Sequence, residues 1–240
     1  MYRYVEGSGT AARFQYITDL DILSPTELIC TDPSSSCLRL VNFTQTSAVT
    51  STFAGRCGDG RIADGSRLST ARFNHPASAE LNSNRSSVFV TGNSDKLRVI
   101  DLETDDVTTI VTLSGGLKLG IKLLDDNIMY FLSEHKVTEF KLDTNEISVI
   151  AGGDSEGNAT GSFQQTEFNH PFDALVWRDN EQVLLLVTDV LNNRFVKIYS
   201  LVKINFCACI ESVYKFSWPT PLFLSQVLMY SQDINSQKHF

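Results

Sequence analysis

Two histidines stand at matching places in a repeated motif and could hold a metal ion. His75 and His170 each follow Phe-Asn and precede Pro. Imidazole is a common zinc ligand, but catalytic zinc needs about three protein ligands plus a water molecule. The corresponding place in an earlier copy holds Tyr16, and His135 falls in a different part of its repeat. Packing or turn capping is therefore the competing interpretation of these histidines.

Carboxylates could form a calcium site instead, because calcium prefers several oxygen ligands. The candidates are Asp19, Asp21, Asp173 and Asp189; solvated turn carboxylates are the competing interpretation. No G-x-S-x-G or P-loop motif occurs, and no Ser-His-Asp constellation can be placed. We therefore expect a protein without a resident cofactor and favour a non-enzymatic role, with a zinc or calcium enzyme as the alternative.

Composition and charge limit the class of partner. The chain has 240 residues, 42% of them hydrophobic, and a formal net charge of -8. Nucleic-acid binders need clustered Lys and Arg to contact phosphates, and no such run occurs, so we do not expect nucleic acid. No apolar run reaches the roughly 18 residues of a membrane-spanning helix, and no secretory signal is visible at the N-terminus.

Internal repeats carry most of the structural information. Segments 7–14, 64–76 and 161–171 share small residues followed by Phe, and the last two end in Phe-Asn-His-Pro. Phe73 and Phe168 are 95 positions apart, or two periods of about 47 residues, which is near a propeller blade. Between them, segments 100–110 and 140–150 match at a constant offset of 40 and both read as β-hairpins.

These repeats predict an all-β fold, a β-propeller of four-stranded antiparallel blades that forms an incomplete or open arc of about four blades. The predicted blades span about 7–55, 64–112, 113–152 and 153–200. Stacked blades hide their apolar faces on their neighbours. Residues 201–240 lack the motif, and we interpret them as a divergent apolar tail, either non-native or poorly ordered.

The pattern of a small-residue segment, Phe-Asn-x-Pro, an apolar strand and then Arg resembles the NHL repeat. Arg39, Arg98 and Arg194 stand at or near the family's arginine. The resemblance implies a fragment of a six-bladed propeller whose rim loops recognise a protein or ligand. It also implies two alternatives: a metal-dependent lyase or hydrolase with a central-channel site, and the NHL module of a ubiquitin-ligase-type protein.

The best loop for recognition is an insertion between the first two repeats. Phe14 and Phe73 are farther apart than one blade requires, and the excess is polar and rich in glycine. The predicted binding residues are Arg56, Asp59, Arg61, Asp64 and Arg67. We expect a protein partner.

Five cysteines occur without a CxxC pair, so a structural zinc site of that type is not expected. A hairpin would bring Cys37 and Cys57 close, and extracellular NHL-like chains often carry cysteines at similar places. A Cys37–Cys57 disulfide, free buried thiols and a Cys30–Cys37 pair all remain open.

Three glycosylation sequons begin at Asn42, Asn84 and Asn158. With the cysteines they favour a secreted protein or an ectodomain, and a cytoplasmic location is the alternative.

Overall fold

The computed structural model describes residues 4–113, 118–162, 165–179, 182–201 and 213–215. The described regular structure is β apart from three short 3-10 turns, Gly9–Ala11, Pro33–Ser35 and Val190–Asn192. Four antiparallel sheets follow one another along the chain and are called blades 1 to 4.

Blades 1 and 2 have five strands each, because a short strand before each blade pairs with its outermost strand. Blade 1 contains β1 Gly7–Ser8, β2 Asp19–Ser24, β3 Glu27–Asp32, β4 Cys37–Phe43 and β5 Ala48–Ala54. Blade 2 contains β6 Gly65–Ser66, β7 Pro76–Leu81, β8 Ser87–Gly92, β9 Ser94–Asp101 and β10 Asp106–Thr112.

Blades 3 and 4 have four strands each. Blade 3 contains β11 Lys118–Leu123, β12 Ile128–Ser133, β13 Lys136–Lys141 and β14 Glu146–Gly152. Blade 4 contains β15 Pro171–Asp179, β16 Gln182–Asp189, β17 Arg194–Leu201 and β18 Val213–Lys215. Cys207, Cys209 and most of the predicted tail lie outside the described residues; within that tail, β18 supplies the fourth strand of blade 4.

The blades form an arc of a β-propeller, as the repeats predict. The innermost strands of the four blades are β2, β7, β11 and β15, and β2 packs on β7, β7 on β11 and β11 on β15. No comparable packing joins β15 to β2 among the described strands. Blades 1 and 4 are therefore the two ends of the arc.

The hydrophobic core lies between blades. One buried cluster joins blades 1 and 2, a second joins blades 2 and 3, and a third joins blades 3 and 4. The members include Ile29, Leu38 and Val88 in the first cluster, Leu97 and Phe131 in the second, and Leu132 and Leu185 in the third. Since each blade's apolar faces are covered by its neighbours, no single blade could bury this surface alone.

Phe73 and Phe168 lie in equivalent surroundings, which confirms the repeat. They are 3% and 0% exposed, and each ring packs against a glycine that ends the preceding blade, Gly55 and Gly152 respectively. Both glycines have left-handed φ values, +88° and +89°. A Cβ at Gly55 would lie 2.8 Å from the Phe73 ring, and one at Gly152 would lie 3.0 Å from the Phe168 ring. The missing side chain lets the aromatic ring seal the junction between blades.

The two matched hairpins are also equivalent in detail. The β9–β10 turn places Asp105 at φ 65°, and the β13–β14 turn places Asn145, 40 positions later, at φ 56°. Asp and Asn tolerate the left-handed region better than most residues. The offset of 40 positions thus reflects the same turn built twice.

A buried arginine ties the opening segment of its own blade to the sheet. Arg98 donates to the carbonyl oxygens of Ala63 and Arg72, and its guanidinium lies 4.6 Å from the centroid of the Phe73 ring. Arg194 donates in the same way to Asn158 and Glu167. Arg194 therefore performs the same role although its place in the motif is shifted.

Arg39 in blade 1 is completely buried but is held differently. Its Nε donates to the Ser51 carbonyl oxygen, and both terminal nitrogens lack a hydrogen-bond partner among the described residues. The guanidinium lies 5.4 Å from the Tyr4 ring centroid and 5.5 Å from that of Phe14. Cation–π attraction thus replaces the carbonyl contacts that Arg98 and Arg194 make.

Cys37 and Cys57 form a disulfide that joins the start of β4 to the loop after β5. The Cys30–Cys37 pairing is therefore wrong, because Cys30 faces the core as a free thiol. Burial raises the pKa of Cys30 to about 12, with Arg39 opposing and Asp32 reinforcing the rise. The thiolate is the reactive form of cysteine, so Cys30 is expected to be chemically inert.

Replacing Gly152 with Ala should destabilise the fold by at least about 2 kcal/mol, through left-handed strain and collision with the His135 carbonyl oxygen. Gly153→Ala is the matched control, because a Cβ there meets nothing within 4 Å. Urea unfolding measures both variants. Equal midpoints for the two would refute the role assigned to Gly152 at the blade junction.

Removing the disulfide by Cys37→Ser with Cys57→Ser should lower the free energy of unfolding by about 3 kcal/mol. The bond closes a loop of 20 positions and so restricts the unfolded chain. Chemical denaturation with and without reductant measures the effect. Reductant should lower the denaturation midpoint of the wild-type protein and leave that of the double variant unchanged. An unchanged wild-type midpoint would contradict this prediction.

Candidate binding site

The insertion between blades 1 and 2 is held in place by its own contacts. Cys57 anchors its start through the disulfide. Asp59 then accepts two hydrogen bonds from Arg61, at 2.8 and 2.6 Å, and one from Arg72 at 2.8 Å. These bonds, first from Arg61 and then from Arg72, lower the pKa of Asp59. The loop is therefore ordered around a carboxylate that remains ionised.

The end of the insertion is fixed to blade 2. Asp64 accepts hydrogen bonds from Arg98 at 2.8 Å and from the backbone N–H of Thr109 at 2.9 Å. Arg67 pairs with Asp105 at 2.7 Å and lies over the Phe53 ring, 4.7 Å from its centroid. The charged side chains of Asp64 and Arg67 therefore both attach the loop to the propeller.

The structure separates the five predicted loop residues into two groups. Asp59, Asp64 and Arg67 are used to hold the loop. Arg56 and Arg61 point outward: the Arg56 side chain has no ion pair or hydrogen bond with the described residues, and the Arg61 side chain is 75% exposed despite its bond to Asp59. Ile62, which follows, is 40% exposed. Arg56, Arg61 and Ile62 are called the loop surface below.

A small cleft adjoins the loop surface and extends into blade 2, with room for about one water molecule. Its lining mixes apolar, polar and cationic side chains: Ile62, Phe73, Asn74, Thr91, Ser94, Lys96 and Arg98. Sequence reasoning missed Thr91 and Lys96. A usable signal was present, because β3 and β16 end in Thr-Asp whereas β8, the equivalent strand of blade 2, ends in Thr-Gly.

The inner strands carry a second polar group that lies between blades. The Lys122 ammonium of blade 3 lies 3.2 Å from Glu80 of blade 2 and 3.5 Å from Asp173 of blade 4. Asp19 accepts hydrogen bonds from the Ser78 hydroxyl at 2.5 Å and the Ala79 N–H at 3.1 Å. These contacts cross-link adjacent inner strands along the arc.

Burial and charge oppose each other in this group. Burial raises the pKa of Asp19, and it raises that of Glu80 to about 7, against the attraction of Lys122 in both cases. Burial disfavours the ammonium form of Lys122, but Asp19, Glu80 and Asp173 outweigh it and raise the Lys122 pKa. The Lys122 ammonium thus interacts with three carboxyl groups. Of these three, Glu80 is the most readily protonated near neutral pH.

The two histidines of the proposed metal pair open different blades. His75 opens blade 2, is exposed, and has its Nδ1 2.8 Å from Asn74 Oδ1. His170 opens blade 4, and its Nδ1 is buried without a partner in the described part of the chain. The described residues contain no group of three or more His, Cys, Asp or Glu placed to hold a metal ion. Zinc at these histidines stays a prediction without a third ligand.

The carboxylates considered for calcium all have protein partners. Asp19 and Asp21 accept hydrogen bonds from strand β7, where Leu81 N–H donates to Asp21 at 2.8 Å. Asp173 faces Lys122. Asp189 is completely buried and pairs with Arg194 at 2.6 Å. None is a freely solvated turn carboxylate, and each serves in packing between or within blades.

The sequon asparagines occupy three settings. Asn84 is exposed in a turn and Asn158 is exposed in an irregular segment, whereas Asn42 lies in β4, where its amide donates to Glu27 at 2.9 Å. Glycosylation stays a prediction at all three. No helix of the described part is long and apolar enough to cross a membrane.

Comparison with known proteins supports the fold. No protein-family profile and no curated protein matches the sequence. Among solved structures, an auxiliary nutrient binding protein from Bacteroides thetaiotaomicron VPI-5482 is similar at 10% identity and a TM-score of 0.53, covering 83% of this chain and 58% of that one. An auxiliary nutrient binding protein from Bacteroides ovatus ATCC 8483 is similar at 12% identity and a TM-score of 0.53, covering 89% and 66%.

The WD40 β-propeller domain of Doa1 is also similar, at 10% identity and a TM-score of 0.50, covering 88% of this chain and 58% of that one. At such low identity these structures show the fold alone, and they confirm a β-propeller. The chain spans 58% to 66% of the length of the three structures.

Glu80 should make the fold less stable as pH rises from about 4.5 to 7. Its pKa is 4.5 as an ordinary glutamate and about 7 in the fold, so the folded state binds more protons across this window and its free energy of unfolding falls as pH rises. Glu80→Gln should remove about 1–3 kcal/mol of this loss. Chemical denaturation between pH 4.5 and 7.5 measures it. Exposed Glu103→Gln is the control, and parallel slopes for wild type and Glu80→Gln would disprove the assignment.

Proposed function

We propose that this chain is a non-enzymatic binding or scaffolding module that recognises a protein partner through the loop surface. The observation that carries the proposal is an insertion ordered without any partner, by the disulfide and by Asp59. A loop already held in one conformation loses little entropy when it binds. Arginine is also among the residues that contribute most to binding energy at interfaces.

The positive charge of the loop surface indicates the class of partner that it would bind. Arg56 and Arg61 are exposed cations on a chain whose formal net charge is -8. Complementary charge across an interface speeds association and excludes wrong partners. The exposed Ile62 adds an apolar side chain next to Arg61. An acidic peptide segment with an apolar neighbour suits this surface.

The wider setting is an extracellular protein built from NHL-type repeats. The disulfide supports an oxidising compartment, and exposed Asn84 and Asn158 could be glycosylated there. The equivalent placement of Phe73 and Phe168 supports the repeat assignment. The Bacteroides proteins of similar fold are described as auxiliary nutrient binding proteins, which accords with a binding role by analogy of fold only.

Replacing both loop cations, Arg56→Ala with Arg61→Ala, should weaken partner binding about tenfold or more. Peptides are first selected from a random library displayed on phage against the wild-type protein, and their affinities are then measured by calorimetry. The fold should survive, since Arg72 still pairs with Asp59.

Arg85→Ala is the matched control, because this exposed arginine lies in the turn between β7 and β8, away from the insertion. Selected peptides should bind this variant as tightly as wild type. The proposal fails if the library yields no binders to the wild-type protein, or if binders lose equal affinity on both variants.

A further inference from the structure

In blades 2, 3 and 4, the innermost strand packs two side chains on the preceding blade. Strand registers identify the equivalent residues, because the first of each pair lies opposite the residue two positions before the end of β3, β8, β12 or β16. In these three blades the first residue is at most 3% exposed, and the second packs in the same inter-blade cluster. The pairs are Ala79 with Leu81, Ile121 with Leu123, and Ala174 with Val176.

The equivalent residues of blade 1 are Leu20 and Ile22, and they lie in water. They are 58% and 55% exposed, although β2 is an innermost strand like β7, β11 and β15. Large aliphatic side chains in water are unfavourable, and neighbouring ones often mark a surface that binds another protein. Blade 1 therefore presents one half of a blade junction. Leu20 and Ile22 are called the leading face below.

Blade 4 presents the other half of the junction. In blades 1 to 3, the residue three positions before the end of β3, β8 or β12 packs against the following blade and is at most 7% exposed. The equivalent residue of blade 4 is Leu186, which is only half-buried. Leu175, directly opposite Leu186 on β15, is 51% exposed. Leu175 and Leu186 are called the trailing face below.

A polar contact accompanies the apolar one where blades meet. Asp19 of blade 1 accepts a hydrogen bond from the Ala79 N–H of blade 2 at 3.1 Å. Ser78 accepts in the same way from blade 3. Asp173 holds the corresponding place in blade 4, and its side chain is 55% exposed. The corresponding donor on blade 1 is the Leu20 N–H, which in the single chain donates to Asp19 of its own strand at 2.9 Å.

A second copy of this chain is the occupant that suits both faces. Each copy carries one leading and one trailing face, so blade 4 of one copy can pack on blade 1 of the other at both ends. Head-to-tail contacts of this kind close into a ring when their rotations complete a full turn. Two copies supply eight blades, four from each, and propellers of four to eight blades are typical.

We infer that two copies of this chain join leading face to trailing face and close a ring of eight blades. Leu175 and Leu186 of one copy pack on Leu20 and Ile22 of the other, and Asp173 accepts the Leu20 N–H. The ring adds two new junctions of the kind that the chain already contains. This assembly goes beyond the proposed function and does not depend on it, since the loop surface lies between blades 1 and 2.

Sedimentation equilibrium on the 240-residue chain measures the assembly. The expected mass is twice 26.7 kDa, or about 53 kDa, once the protein concentration exceeds a Kd in the micromolar range. The buffer contains about 0.15 M salt, which screens repulsion between copies of net charge -8 beyond about 8 Å. A mass that stays at 26.7 kDa at every concentration, or that keeps growing past the pair, overturns the inference.

Leu20→Glu on the leading face should raise the Kd of the pair about tenfold or more, because it brings a charge into an apolar junction. Leu175→Glu on the trailing face should do the same. Both side chains are exposed in the single chain, so both variants should fold. Ile147→Glu is the matched control, because Ile147 is 47% exposed on β14 of blade 3, away from both faces. Unchanged association of both face variants contradicts the inference.

Mixing the two face variants distinguishes head-to-tail pairing from a pairing of like faces. Each variant alone spoils both new junctions of the ring. A mixture keeps one junction intact, between the trailing face of the Leu20→Glu protein and the leading face of the Leu175→Glu protein. The mixture should therefore associate more tightly than either variant alone. If it does not, or if only one variant weakens association, head-to-tail pairing is wrong.

Urea unfolding identifies the other possible occupant of the leading face, which is the part of this chain outside the described ranges. Such a cover would keep the protein at the mass of one copy. Leu20→Glu would then lower its free energy of unfolding, while Ile147→Glu would not. That combination overturns the inference, whereas a pair of wild-type copies that Leu20→Glu separates supports it.

Discussion

The contact on which this structure depends is the junction between one blade and the next. There the opening phenylalanine of a blade packs on the glycine that ends its predecessor, and a buried arginine donates to the carbonyls around that phenylalanine. Phe73 with Arg98 and Phe168 with Arg194 build it in nearly the same way. Apolar burial supplies most of the free energy, and the arginine satisfies backbone oxygens that would otherwise be buried without donors.

This junction also explains why the loop between blades 1 and 2 is ordered. Arg98 needs a counter-charge in its buried position, and Asp64, at the end of the insertion, provides it. The same Asp64 accepts from Thr109, so the loop is tied to the outermost strand of blade 2. The same contacts therefore stabilise the fold and hold the loop in place, with Arg56 and Arg61 pointing outward.

Departures from the repeat mark the two places with unusual polar chemistry. Gly92 stands where blades 1 and 4 have a buried aspartate, and the Thr91 hydroxyl next to it has no hydrogen-bond partner among the described residues. Lys122 is placed among carboxyl groups from neighbouring blades, and burial raises the pKa of Glu80 to about 7 against the attraction of Lys122. Blade 4 keeps the buried aspartate, and there Asp189 and Arg194 satisfy each other.

The sequence by itself determined the fold class, the repeat, the strand order and the turns. These features follow from local patterns: alternation within strands, left-handed turn residues at Asp105 and Asn145, and the spacing of Phe73 and Phe168. It left open which cysteines pair, and it could not divide the loop charges into structural and exposed ones. The tertiary structure decided that Asp59 and Asp64 hold the loop, that Cys57 pairs with Cys37, and that Thr91 borders a cleft. The physical reason is that these outcomes depend on distances of a few ångströms between blades, and only the packing of one blade on another sets such distances.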